Sequence, residues 1–155
     1  MAVSLNSIIE SIVLELSPLP VYAYGTANEI NDLGDKVTTG TPVVFLVDAY
    51  KTGLDFAMSG GFNRSYSFLM QFMEQTPQGQ YLTENDPVLV RQSGYCENFL
   101  IKLRDYSLNG IKVFKIEPNK TKVDIISKVA KYDANYTGVT LDVRNLSIIP
   151  NQGFC

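Results

Sequence analysis

Residues 62–74, Phe-Asn-Arg-Ser-Tyr-Ser-Phe-Leu-Met-Gln-Phe-Met-Glu, alternate with a period of two. Tyr66, Phe68, Met70 and Phe72 fall on one face, and Ser65, Ser67, Leu69, Gln71 and Met73 on the other. A helix would scatter four bulky side chains at this spacing around its circumference, whereas a strand lines them up. The chain must therefore fold around a long strand with one buried face, and other apolar surface must cover that face.

Two amphipathic helices are available as the cover. In 4–16, Leu5, Ile8, Ile9, Ile12 and Leu16 recur every three or four residues and form one stripe. Ser4 is a possible N-cap, Ser7 and Glu10 have capping-box spacing, and Pro18 and Pro20 end the helix. In 84–106, Thr83 or Asp86 can cap, and Pro87 suits the first helical position. Leu89, Ser93, Cys96, Leu100 and Leu103 trace the expected inward stripe, with Phe99 beside it.

The remaining strands are 21–24, the continuous apolar run Pro42–Val47 (expected buried on both faces), Ile111–Glu117, Val123–Tyr132 and Gly138–Ile148. In the last, Leu146 and Ile148 are one residue out of phase with Val139, Leu141 and Val143, which predicts a bulge near Asn145. Asn109-Gly110 is a turn signal, and Asp133 to Asn135 with Gly138 are expected to form the last turn. Segments 25–41 and 49–61 read as loops rich in Gly, Asn and Asp. The chain is thus expected to be one α+β domain, 1–155. It comprises helix 4–16, loop 25–41, a core sheet and helix over 42–148, and a loosely ordered tail 149–155. Its sheet is antiparallel or mixed, with about five to six strands and two helices packed on one face. A chain of 155 residues with 45% hydrophobic content needs no disulfide or metal to hold such a core. No run is long and apolar enough to span a bilayer, so no membrane association is expected.

The chemistry is narrowly bounded. Histidine is absent, which removes the commonest general base and transition-metal ligand. Two distant cysteines do not make a zinc site. Asp32/Asp35 and Glu84/Asp86 are the densest carboxylates, but they sit in turn and cap contexts where such residues are expected anyway. Gly60-Gly61 leads into a strand, so it is not a phosphate-cradling loop. The expectation is no catalytic residue, no metal and no cofactor. Net charge is −3, and Lys112, Lys115, Lys120, Lys122, Lys128 and Lys131 read as solvated strand positions rather than a phosphate-binding stripe. An acidic surface is better suited to letting nucleic acid pass than to holding it.

The order of segments resembles that of the bacteriophage tail-terminator, tail-completion and head–tail connector families. The matching segments are Ser4–Leu16, Pro42–Val47, Phe62–Met73, Asp86–Tyr106, Val123–Tyr132 and Val139–Ile148. Phe62 to Phe68 stands as the central strand, and Tyr132 to Val139 as the turn of the final hairpin. The strand at Ile111–Glu117 departs from the simplest pattern. The resemblance implies a structural virion protein without catalytic residues, made in the host cytoplasm. It would form a homo-oligomeric ring, sixfold or twelvefold, at the neck or tail top. Other neck or tail proteins are its partners, and DNA is passing cargo. Ile30, Leu33 and Val37 are spaced through polar turn residues, and Phe154 lies in the tail; all four are expected at the intersubunit contact. The competing expectations are a small-ligand or peptide-binding module with 25–41 and 49–61 as its lips, and an enzyme of unrecognised type using Asp, Tyr and Lys.

Overall fold

The computed structural model describes residues 4–33, 36–48, 50–56, 62–77, 86–131 and 135–149. The element order is α1 (Leu5–Val13), β1 (Val21–Gly25), α2 (Ala27–Leu33), β2 (Pro42–Val47), β3 (Lys51–Phe56), β4 (Phe62–Gln75), α3 (Asp86–Asp105), β5 (Ser107–Leu108), β6 (Ile111–Lys112), β7 (Phe114–Lys115), β8 (Lys122–Lys131) and β9 (Asn135–Ile148). Seven strands form the main sheet in the order β1-β2-β4-β9-β7, with β3 on β4 and β8 on β9. β1 pairs parallel to β2, and the other ladders are antiparallel, so the sheet is mixed. The fold is α+β, as expected, with more strands than expected.

β4 runs through the middle, and its alternation sets the layers. Tyr66, Phe68, Met70 and Phe72 are all buried in one core with Ile8, Ile9 and Ile12 of α1 and Cys96, Phe99 and Leu103 of α3. Phe72 and Phe99 meet with ring centroids 5.4 Å apart. The Ser4 hydroxyl caps α1 by accepting from the Ser7 backbone N–H at 3.1 Å. The expected stripe of α3 is turned slightly: Val88, Gln92, Cys96, Phe99 and Leu103 are buried, while Leu89, Ser93 and Leu100 are half-buried. Apolar periodicity passes over Gln92 because its reason for facing inward is a hydrogen bond, not hydrophobicity.

The bulge lies where the phase shift puts it. Tyr66 pairs with Leu146 and Phe68 with Val143, so Arg144 and Asn145 together oppose Ser67. Asn145 adopts φ 58°, and its N–H donates to Ser67 Oγ at 3.1 Å. The extra residue returns Leu146 and Ile148 to the core face beside Val143. Asn109 and Gly110, at φ 52° and 77°, close the two-residue β5–β6 hairpin.

Two further features depart from expectation. Segment 49–61 contains β3, because β4 extends past the end of β2 and offers its edge to a second partner. Gly60 and Gly61 lie outside the described residues. Gly138, expected in the last turn, sits inside β9 opposite Met73 on one side and Lys128 on the other. Asp133 and Ala134 of that turn lie outside the described residues, as do Thr83 and Glu84.

Candidate functional site

The segment 25–41 is not a bare loop. Its sequence Gly25-Thr26-Ala27-Asn28-Glu29-Ile30 contains a capping box. The Thr26 backbone N–H and hydroxyl both donate to Glu29 Oε2, at 2.6 and 2.7 Å, and the Asn28 N–H donates to Thr26 Oγ1 at 3.3 Å. Gly25 precedes it at φ 138°, and a Cβ there would lie 2.6 Å from Glu29 Cδ. The helix that follows lays Ile30 against the sheet face opposite α1 and α3. There Ile30, Val37, Val43, Phe45, Met73 and Tyr136 form a second core, with Leu33 half-buried at its side. Ile30 and Val37 therefore fill the core of their own domain, where the sequence alone points them toward an intersubunit contact. The physical reason is β2: Val43 to Leu46 are buried on both faces, so the second face needs its own cover. Phe154 lies outside the described residues.

The capping carboxylate gives α2 a pH signature. Hydrogen bonds from Thr26 hold the Glu29 carboxyl below its ordinary value of 4.5. A lowered folded-state value means a contribution complete above pH 4.5 and lost as the pH falls through the lowered value. Glu29→Ala is expected to melt below the wild type at neutral pH, and the gap should close on acidification. A gap that stays constant from neutral to acid pH, in paired thermal melts, would count against the capping role.

Only one carboxylate among the described residues is buried. Glu74, at the end of β4, accepts from Arg91 Nη2 at 2.6 Å and from Gln92 Nε2 at 2.9 Å. Burying a carboxylate is costly unless charged and polar donors satisfy it, and α3 supplies both. The hydrogen bond to Glu74 raises the Arg91 guanidinium further above its ordinary value. A cleft of about 350 Å³ opens beside this pair, walled by Pro18, Pro42, Val90 and Gly94. Cys96 is buried, and burial pushes its thiol up to about 12, so it is held protonated and unreactive. Asp32 and Asp86 stand exposed on separate helices; Asp35 and Glu84 lie outside the described residues. Among the described residues, no three His, Cys, Asp or Glu side chains cluster as metal ligands.

The distinctive surfaces are at the sheet's edges. β8 is bonded on one side to β9, and Val123, Ile125 and Ile126 on it are exposed, Ile126 at 55%. Val123 forms part of a groove of about 220 Å³ with Ile101 of α3 and Ile116. On the other edge β3 is bonded to β4, and Leu54 is 56% exposed. Across the helix-free face at this end runs a polar trough of about 570 Å³, lined among others by Asp55, Asn63, Glu117, Lys122 and Asn145. An open edge bearing apolar side chains is a template for pairing, and soluble proteins ordinarily cover or blunt it. No helix among the described residues is long and apolar enough to cross a membrane. Comparison with known proteins adds no relative: no family model, no curated protein and no solved structure matches this chain.

Proposed function

We propose that this chain is a structural, non-enzymatic virion protein. It assembles with copies of itself into a sixfold or twelvefold ring at the phage neck or tail top, joining head and tail around the channel through which DNA passes. The observation that carries the reading is that edge strands on opposite sides of one sheet, β3 and β8 among them, present exposed apolar side chains. One surface on each side is what a head-to-tail interface requires, and head-to-tail contacts close into a ring when the rotation from copy to copy closes. The order of elements around the long central strand supports the same reading by its likeness to the connector and terminator families, an argument at the level of fold.

The test is the mass of the purified protein together with its negative-stain image. The expected result is a closed ring of six or twelve copies of the 17.2 kDa chain. A protein that stays monomeric at every concentration, and is absent from particles, overturns the reading.

A further inference from the structure

We propose that the ring closes by continuing the sheet from β8 of one copy into β1 of the next. The two strands pair antiparallel, with Val123 opposite Tyr24, Ile125 opposite Tyr22 and Ile126 opposite Val21. The occupant of the β8 edge is thus a second copy of this chain, and the inference rests on the ring reading above.

Topology leaves β1 and β8 as the outermost strands. The sheet runs β1-β2-β4-β9, and β8 continues it beyond β9. β3 bonds to β4 directly, so it stands one strand farther in than β1 and is not displaced. β1 is parallel to β2, while β2, β4, β9 and β8 follow one another antiparallel. β8 consequently runs against β1, and a copy set alongside in the same orientation offers the antiparallel, more favourable ladder. Residues 122–126 of β8 cover the whole of β1. The rest of β8 runs on past Val21, where the chain leading into β1 has turned inward: Ser17 and Pro18 line the cleft with Pro42 and Glu74. Beyond Gly25 the chain also turns inward, and α2 lays Ile30 into the second core with Val43, Phe45 and Met73.

Side-chain faces then restrict the register. Tyr22 packs on the main core under the helices, and Tyr24 shares its face. Val123 and Ile125 share that face with Val143 and Leu141. Val21 packs on the second core, and Ile126 lies on that same opposite face. Tyr24, Val123, Ile125 and Ile126 are all exposed in the single chain, and the ladder gives each an apolar partner. Tyr24 meets Val123 at the mouth of the apolar groove with Ile101 and Ile116. The register also sets Lys122 opposite Gly25. There the Glu29 carboxyl occupies the place of a side chain, since a Cβ on Gly25 would lie 2.6 Å from Glu29 Cδ. Neither Lys122 nor Glu29 has an ion-pair partner among the described residues, so the complementary charges are available. A slip of one residue would put each strand's apolar side chains on the wrong face. A slip of two one way brings Asp124 to Gly25, against the Glu29 carboxylate, a like-charge pair. A slip of two the other way carries Tyr24 past the end of β8 to Thr121 and leaves Ile126 with no partner in β1.

Paired substitutions test this directly in the full-length chain, with circular dichroism confirming that each variant keeps the fold. Tyr24→Lys alone sets an ammonium group against Val123, and Val123→Glu alone sets a carboxylate against Tyr24. Each should raise the concentration for half-assembly about tenfold or more. The double variant, Tyr24→Lys with Val123→Glu in one chain, places opposite charges at every contact and should rebuild rings at lower concentration than either single variant. Lys122→Glu, acting on the other face against Glu29, should also weaken assembly. If the wild type forms rings and all the single variants assemble as it does, the interface lies elsewhere: the proposal fails while the ring reading stands. If only the substitutions in β8 have an effect, or a twofold dimer through β8 appears, β1 is not the partner and the proposal is overturned. A double variant that assembles no better than the single ones overturns the pairing of Tyr24 with Val123. A wild type that never leaves the monomer overturns both the proposal and the ring reading.

Discussion

Gly138→Ala is expected to be the most damaging small substitution in this protein. An added Cβ would lie 1.9 Å from the Phe72 carbonyl oxygen and 2.6 Å from Met73 Cα. Both are backbone atoms of β4, the strand on which the whole sheet is built, so no rotamer change relieves the contact. β4 and β9 would have to separate within their ladder, where Phe72 pairs with Val139 and Met73 with Gly138. Overpacking in a rigid site costs about 3 kcal/mol or more, which for a chain of this size lowers the thermal midpoint by roughly 6–12 °C. Gly94 provides the contrast. It lies inside α3, and a Cβ there meets nothing within 4 Å. Gly94→Ala should stabilise by roughly 0.5–1 kcal/mol, through helix propensity alone. Equal effects of the two substitutions in parallel melts would refute the close strand approach.

Phe68→Ala should cost roughly 3–5 kcal/mol. Its side chain is 3% exposed in the core under α1 and α3, and its strand partner Val143 lies in the same core. Truncation leaves a cavity between a sheet and two helices, all held by further contacts, so collapse is limited. The neighbouring Leu69 points to the opposite face, outside the second core, and is 39% exposed. Leu69→Ala should cost less than about 1 kcal/mol. Urea titrations of the pair give the answer: similar midpoints for both variants would mean that the strand does not bury the face its alternation assigns to the helices.

Those two substitutions differ from Gly138→Ala in what makes them foreseeable. Phe68 is legible because alternation is a local property: each residue of a strand faces opposite to its neighbours whatever lies beyond. The same holds for the stripe of α1, for the Asn109-Gly110 hairpin and for the bulge at Asn145, each written in a few consecutive residues. Segment 25–41 reads as a loop although its helix signal is also local. Thr26 and Glu29 have capping-box spacing, but the Asn, Asp and Gly around them weight the reading toward turns. Ile30 and Val37 then look unanchored, because the surface they cover is made by β2, Met73 and Tyr136, brought together from distant parts of the chain.

For the candidate surface, the sequence marks exposed lysines and strands but not edges. Whether a strand is central or at the edge depends on its partners, and β8, with Val123 and Ile125 in an alternating pattern, reads like any half-buried strand. The buried Glu74 is hidden for the same reason: its donors Arg91 and Gln92 are 17 and 18 residues away on another element.

By itself the sequence determined the α+β class, the buried face of β4, the covering helices α1 and α3, the bulge and the absence of histidine chemistry. All of these follow from composition or from spacings short enough for local geometry to fix. Only the tertiary structure decided that β3 joins β4, that α2 closes the second face, that Gly138 is a point of strand contact rather than a turn, and that β3 and β8 are left as open edges. Each of those depends on which segments, far apart along the chain, come to lie side by side.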